Sequence, residues 1–136
     1  MAANILVDAG FLVALLSHRD ANHRWAATQS PILPPPWTTC EAALSEAFHV
    51  LGQSGRPALA ALLRRRAVLC PLHVSEHIEE ILALVDKYTD VPMSFADACL
   101  VRMTEALPGP VLLTTDTDFR IYRRHSRQAV PCIMPA

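Results

Sequence analysis

Close cysteine pairs, long apolar runs, a basic start and all but one lysine are missing from this chain of 136 residues. Cys40, Cys70, Cys99 and Cys132 are widely separated. That spacing excludes the short Cys-x-x-Cys pairs of a zinc site and the cysteine density of a secreted disulfide scaffold. It predicts reduced core thiols and a cytoplasmic protein. No stretch approaches the roughly 20 apolar residues that cross a bilayer, so no membrane association is expected. Met1-Ala2-Ala3-Asn4 has no basic side chain, and Asp8 interrupts the apolar run behind it, which argues against a signal peptide. A net charge of −1 carries none of the bulk positive signature of a nucleic-acid binder.

Lys87 is the single lysine; the other basic residues are arginines, concentrated at Arg64-Arg65-Arg66 and at Arg120, Arg123, Arg124 and Arg127. A guanidinium fork pairs bidentately with phosphate. Such tracts also read as solvated helix faces, and for the first tract this is the simpler reading. Hydrophobic residues make up 51% of the chain and charged residues 18%, the balance of a globular sequence. The length suits one domain, spanning 1–136, around one core.

The apolar periodicity and the capping residues predict strands at 4–8, 68–72, 111–114 and 129–134, and a further extended piece around Ile32-Leu33 within the proline-rich stretch 30–37. Helices are expected from Gly10, behind Asp20, from Thr38 or Thr39 to Gln53, from Pro57 to Arg66, over 76–87 behind Ser75, over 94–107, and over 116–124. Strands separated by helices predict an α/β fold with a parallel sheet and helices on both faces.

Four acids fall at telling places in that layout. Asp8 ends the run Ile5-Leu6-Val7, and Asp116 follows Val111-Leu112-Leu113 and two threonines. Sites in open parallel sheets form outside the carboxyl ends of the strands. Glu46 and Asp97 lie on helices, on or at the rim of the face that should pack inward. Each acid also has a structural reading: Ser94-x-x-Asp97 is a capping-box pattern, Thr115-x-x-Asp118 could cap the next helix, Glu46 could reach water from a helix edge, and Asp8 could accept from the helix behind it. Those readings do not explain why the acids fall at strand ends and on inward faces together. Two carboxylates about 4 Å apart repel by roughly 4 kcal/mol at an effective dielectric near 20. Several such pairs rival the ~5–15 kcal/mol stability of a whole domain. A converging cluster therefore takes up protons, arginine or a divalent ion, and an all-oxygen donor set suits Mg²⁺ or Mn²⁺.

These residues resemble the PIN-domain family, in particular its bacterial VapC toxin type. The stretch from Ile5-Leu6-Val7-Asp8 through Asp20-Ala21-Asn22-His23 is similar to the family's first strand and helices. Thr38-Thr39 with Ala43-Leu44-Ser45-Glu46, Met93-Ser94-Phe95-Ala96-Asp97-Ala98, and Leu112-Leu113-Thr114-Thr115-Asp116-Thr117-Asp118-Phe119 are similar to the later motifs. The resemblance implies a three-layer α/β/α fold. It further implies a Mg²⁺- or Mn²⁺-dependent ribonuclease, usually a homodimer, held inactive by an antitoxin protein. By position, Asp8, Glu46, Asp97 and Asp116 are then the catalytic, metal-holding acids, and Asp118 an auxiliary metal-site acid. Ser94 and Thr114 are supporting hydrogen-bond donors or acceptors, and Arg120, Arg123 and Arg124 are candidates for RNA phosphate contacts. Ala9-Gly10 departs from the pattern, because many members carry a hydroxyl residue there.

Other readings fit less well. A phosphate-signalling receiver needs a lysine near the last strand, and Lys87 lies on a helix. A haloacid-dehalogenase-like phosphatase needs a second acid where Gly10 stands. His73 and His77, four apart, straddle the expected helix start and would not share a face. The reading from a different class is a catalytically inactive PIN-like module that binds RNA or protein.

Overall fold

The computed structural model describes residues 4–136; Met1, Ala2 and Ala3, which enter the signal-peptide expectation, lie outside the described residues. Five parallel strands form the central sheet: β1 (Asn4–Val7), β2 (Trp37–Thr38), β3 (Val68–Leu69), β4 (Pro110–Leu113) and β7 (Cys132–Ile133), in the spatial order β3-β2-β1-β4-β7. The chain moves outward from β1 to β3 and then returns to the other side of β1. Strand order therefore reverses between β1 and β4, the place where open sheets leave a crevice beyond the strand ends.

Alternation along the strands divides the core into two layers. Leu6 and Leu112 pack on one face with Ile81 and Leu84 of α4 (Ile78–Lys87) and Cys99, Leu100 and Met103 of α5 (Phe95–Ala106). Val7 and Leu113 pack on the other with Phe11 and Leu12 of α1 (Ala9–Leu16), Ala26 of α2 (His23–Ile32) and Ala47, Leu59 and Leu62 of α3 (Glu41–Arg64). The result is the expected α/β/α sandwich. No helix of the described residues is long and apolar enough to cross a membrane.

Several local expectations shift. α2 runs through Pro31 to Ile32, so no strand forms at Ile32-Leu33; a proline in a last turn removes a single hydrogen bond, and Ile32 is 64% exposed. The Leu33 amide closes that helix on Gln29 O at 2.8 Å. Thr38 ends β2 and Cys40 precedes α3, so neither threonine caps it. α3 is two helices joined across a kink at Gly52, whose φ of 64° and ψ of −168° suit glycine, so the expected turn between the two helices lies at Gly52 and the second ends at Arg64. A 3₁₀ turn (Val74–Glu76) displaces the start of α4 to Ile78. The segment behind Asp116 is a 3₁₀ turn (Thr117–Arg120), followed by an unforeseen antiparallel hairpin of β5 (Arg123–Arg124) and β6 (Gln128–Ala129).

Candidate active site

At the carboxyl ends of β1 and β4 a cavity of ≈ 500 Å³ opens between α1, α3 and α5, lined by Asp8, Ala9, Gly10, Ala43, Glu46, Ser94, Ala96, Asp97, Leu100, Thr115 and Asp116. All four acids singled out in the sequence face this one space.

Asp8 follows β1 directly and precedes α1. Its Oδ1 accepts from the Phe11 amide at 2.9 Å, and its Oδ2 accepts from the Thr114 hydroxyl. Thr114 Oγ1 in turn accepts from the Asp116 amide at 2.9 Å, and Asp116 Oδ1 from the Asp118 amide at 2.9 Å. One continuous hydrogen-bond chain thus ties the ends of the two central strands together. Only 7% of Asp8 is exposed, and burial pushes its carboxyl up to about 6 against the opposing hydrogen bonds from Thr114 and Phe11, with the charges of Asp116 and Asp97 adding to the rise. Thr39 Oγ1 donates to Val7 O at 2.6 Å and steadies the strand just before Asp8.

Asp97 is half-buried on the first turn of α5. Ser94 Oγ accepts from the Asp97 amide at 3.0 Å, and Asp97 Oδ2 accepts from the Ser94 amide at 3.4 Å, so the capping box exists. Cap and cavity wall are the same residue. Burial raises the Asp97 carboxyl pKa above its usual range, followed by the charge of Asp116. Glu46 is exposed and reaches the cavity from its rim; Ala43 and Ala47 on the same helix are buried, whereas Val50 is 57% exposed. Thr114 is wholly buried, and Ser94 is exposed at the wall.

The remaining candidates are placed differently. Asp118 is half-buried beside the cavity rather than among its lining residues. Arg120 is exposed. The Arg123 guanidinium donates to Arg120 O at 2.8 Å and Tyr122 O at 3.0 Å, and Arg124 donates to Thr104 O and to Gln128 Oε1 at 3.2 Å, so both are engaged within the protein. His73 and His77 line a separate cavity of ≈ 260 Å³, where Arg102 Nε donates to His77 Nδ1 at 3.0 Å.

Thr115 is a lining residue that the sequence did not single out for the site. A Cβ placed on Gly10 would run into Thr115 Oγ1 and lie 3.4 Å from Asp8 Oδ1. The glycine therefore makes room for a hydroxyl delivered from the end of β4. Hydroxyl chemistry expected after Asp8 is thereby present from another strand. The signal was the pair Gly10 and Thr115, and only the fold shows that they touch.

The sequence pattern of the PIN domain matches residues 5–124. The chain belongs to the PIN domain family. Among solved structures, Mycobacterium tuberculosis VapC20, a sarcin-ricin loop cleaving toxin, superposes on this PIN domain with a TM-score of 0.73 at 24% identity, covering 85% of this chain and 92% of that one. That likeness concerns the fold. No curated protein matches the chain.

The residues of this PIN domain suit a divalent cation. The side-chain donors lining the cavity are all oxygens, the carboxylates of Asp8, Glu46, Asp97 and Asp116 and the hydroxyls of Ser94 and Thr115, and the Asp8 carboxylate is nearly fully buried. Among the described residues the ion pairs are those of Arg102 with Glu80 and Glu105, so no basic side chain neutralises the cavity acids. Nor, among the described residues, are three or more Asp, Glu, His or Cys side chains already drawn in to ligating geometry.

Proposed function

We propose that this PIN domain, a single domain assigned to 1–136, is a Mg²⁺- or Mn²⁺-dependent endoribonuclease of the VapC toxin type. The observation that carries the reading is the convergence of Asp8, Glu46, Asp97 and Asp116 on one cavity at the point where strand order reverses. Asp8, Asp97 and Asp116, with Glu46 from the rim, would hold the ion. A bound divalent ion supplies Lewis acidity, neutralising charge that grows on a phosphodiester and lowering the pKa of water.

The protein's own groups do the rest. Thr114 fixes the Asp8 carboxylate through Oδ2 while the Phe11 amide holds Oδ1, so the buried acid meets a ligand in one orientation. Asp97, anchored to its helix start by the Ser94 cap, holds its carboxylate at the cavity wall, where it can help orient an attacking water. Asp116 is oriented by the Asp118 amide, and this is how Asp118 supports the site. Exposed Arg120 is the best placed of the three arginines to meet a flanking phosphate.

The reading extends to RNA as substrate, an antitoxin protein as partner, a homodimer in solution and a cytoplasmic location. Its test is calorimetric titration of Mn²⁺ together with an RNA cleavage assay on the wild type, Asp8→Asn and Asp97→Asn. Metal binding and cleavage in the wild type, lost in both folded variants, is the expected result; full cleavage by both variants would refute the assignment. The second reading, an inactive RNA- or protein-binding module, draws on the absence of a preformed ligating trio among the described residues. Wild-type protein that binds RNA but no Mn²⁺ would favour it.

A further inference from the structure

Tyr122 is fully buried although its phenol is polar. Its ring is clamped edge-on between Phe119, at 5.3 Å, and Tyr88, at 5.1 Å. The hydroxyl reaches Asp97 Oδ2 at 3.2 Å and Pro92 O at 3.3 Å. A phenol has one proton, and a carboxylate is a stronger acceptor than a carbonyl. The Ser94 amide points at that same Oδ2. Two donors from separate parts of the chain therefore converge on one oxygen of Asp97, and no hydrogen bond from the described residues engages Oδ1. The carboxylate cannot rotate without losing both bonds.

We propose that Tyr122 is a positioning residue for the candidate active site: it pins Asp97 Oδ2 so that Oδ1 is presented to the cavity for a divalent ion. This rests on the nuclease reading above. Tyr122 touches neither the cavity nor the ion; it acts through Asp97. Its own rigidity comes from the aromatic pair around it. Tyr88 adds a contrast within the same cluster, since its hydroxyl accepts from the Arg123 amide at 2.8 Å and has no hydrogen bond to Asp97.

The contrast supplies the experiment. Mn²⁺ is titrated calorimetrically into the wild-type protein, Tyr122→Phe and Tyr88→Phe, each checked by thermal melting. Both variants keep the ring and lose one hydroxyl. Tyr122→Phe should raise the Mn²⁺ dissociation constant about tenfold, the order expected for one hydrogen bond to a charged group. Tyr88→Phe should leave it unchanged, whereas a general role of the aromatic cluster would shift both. Equal affinity in wild type and Tyr122→Phe, or equal weakening in both variants, overturns the inference while leaving the nuclease reading intact. Wild-type protein that binds no Mn²⁺ overturns that reading and the inference with it. If Tyr122→Phe melts early, fluorotyrosine at 122, a stronger donor on the same ring, carries the test: a shifted dissociation constant supports the role and an unshifted one refutes it.

Discussion

Asp8 is held in two opposing ways: its hydrogen bonds favour the charged form, and its burial favours the neutral one, which prevails and pushes the carboxyl up to about 6. The folded, metal-free chain therefore binds this proton more tightly than the unfolded chain does. The stabilising effect is whole below about pH 4, falls as pH rises towards 6, and is gone above it, leaving a cost of about 3 kcal/mol for the buried charge at neutral pH. Asp8→Asn removes that cost, so the metal-free variant should melt about 10 °C above the wild type at pH 7.5, with the gap closing towards pH 4. Saturating Mn²⁺ should raise the wild-type Tm and leave that of the variant unmoved. For the same reason Mn²⁺ affinity should weaken as pH falls below about 6, because proton and metal compete for one carboxylate. Gly10 offers a second check on the wall of the cavity. Gly10→Ala drives a methyl into Thr115 Oγ1, and the adjustment should cost about 1–3 kcal/mol in urea unfolding. Adding Thr115→Ala should recover most of that loss, and no recovery would mean that the hydroxyl is not what the glycine accommodates.

Helix α3 shows how much of an element a sequence discloses. The apolar spacing and Pro57 marked helix on either side of a turn, and the glycines at 52 and 55 placed the turn to within a few residues. Which glycine bends was illegible, because both lack a side chain and only backbone dihedrals distinguish them. Gly52 takes positive φ with extended ψ, while a Cβ there would meet nothing within 4 Å. Gly52→Ala should thus cost about 1–3 kcal/mol from backbone strain alone, seen as a lower Tm with unchanged Mn²⁺ affinity. Beyond the bend, Leu59 and Leu62 are buried in the core. The β5–β6 hairpin went unseen for a different reason. Its strands are two residues each and include arginines, and Arg124 donates to Thr104 O near the end of α5, twenty residues away in sequence. The four acids were legible because each follows a strand or shares a helix face with core residues, Glu46 with Ala43 and Asp97 with Leu100 and Val101. Tyr122 and Thr115 were not, because their partners at 97 and 10 come from other elements.

The parallel sheet and its two helical layers were readable from strands separated by helices, and Leu6 and Val7 fall on opposite faces of the sheet accordingly. The order in which the strands lie was not, because neighbours in a parallel sheet are set by crossovers and not by adjacent sequence. That order places an acidic cavity at the switch point of a molecule whose net charge is −1. RNA meeting the metal-free protein finds little attraction there, and what remains depends on which arginines are unengaged. Arg123 and Arg124 are held by hydrogen bonds to main chain and Gln128, whereas Arg120 is exposed close to Asp118. In Mg²⁺-free buffer, fluorescence anisotropy with a single-stranded RNA should therefore give weak binding with a shallow salt dependence. Arg120→Ala should lower the slope of log K against log salt by about 0.7, the value for one phosphate contact on a single strand. Arg124→Ala should instead lower the melting temperature, because it frees the Thr104 carbonyl and loosens the hairpin, and it should leave the salt slope unchanged. If Arg124→Ala shifts the slope as far as Arg120→Ala does, the guanidinium leaves its internal partners to meet RNA, and the hairpin is part of the binding face.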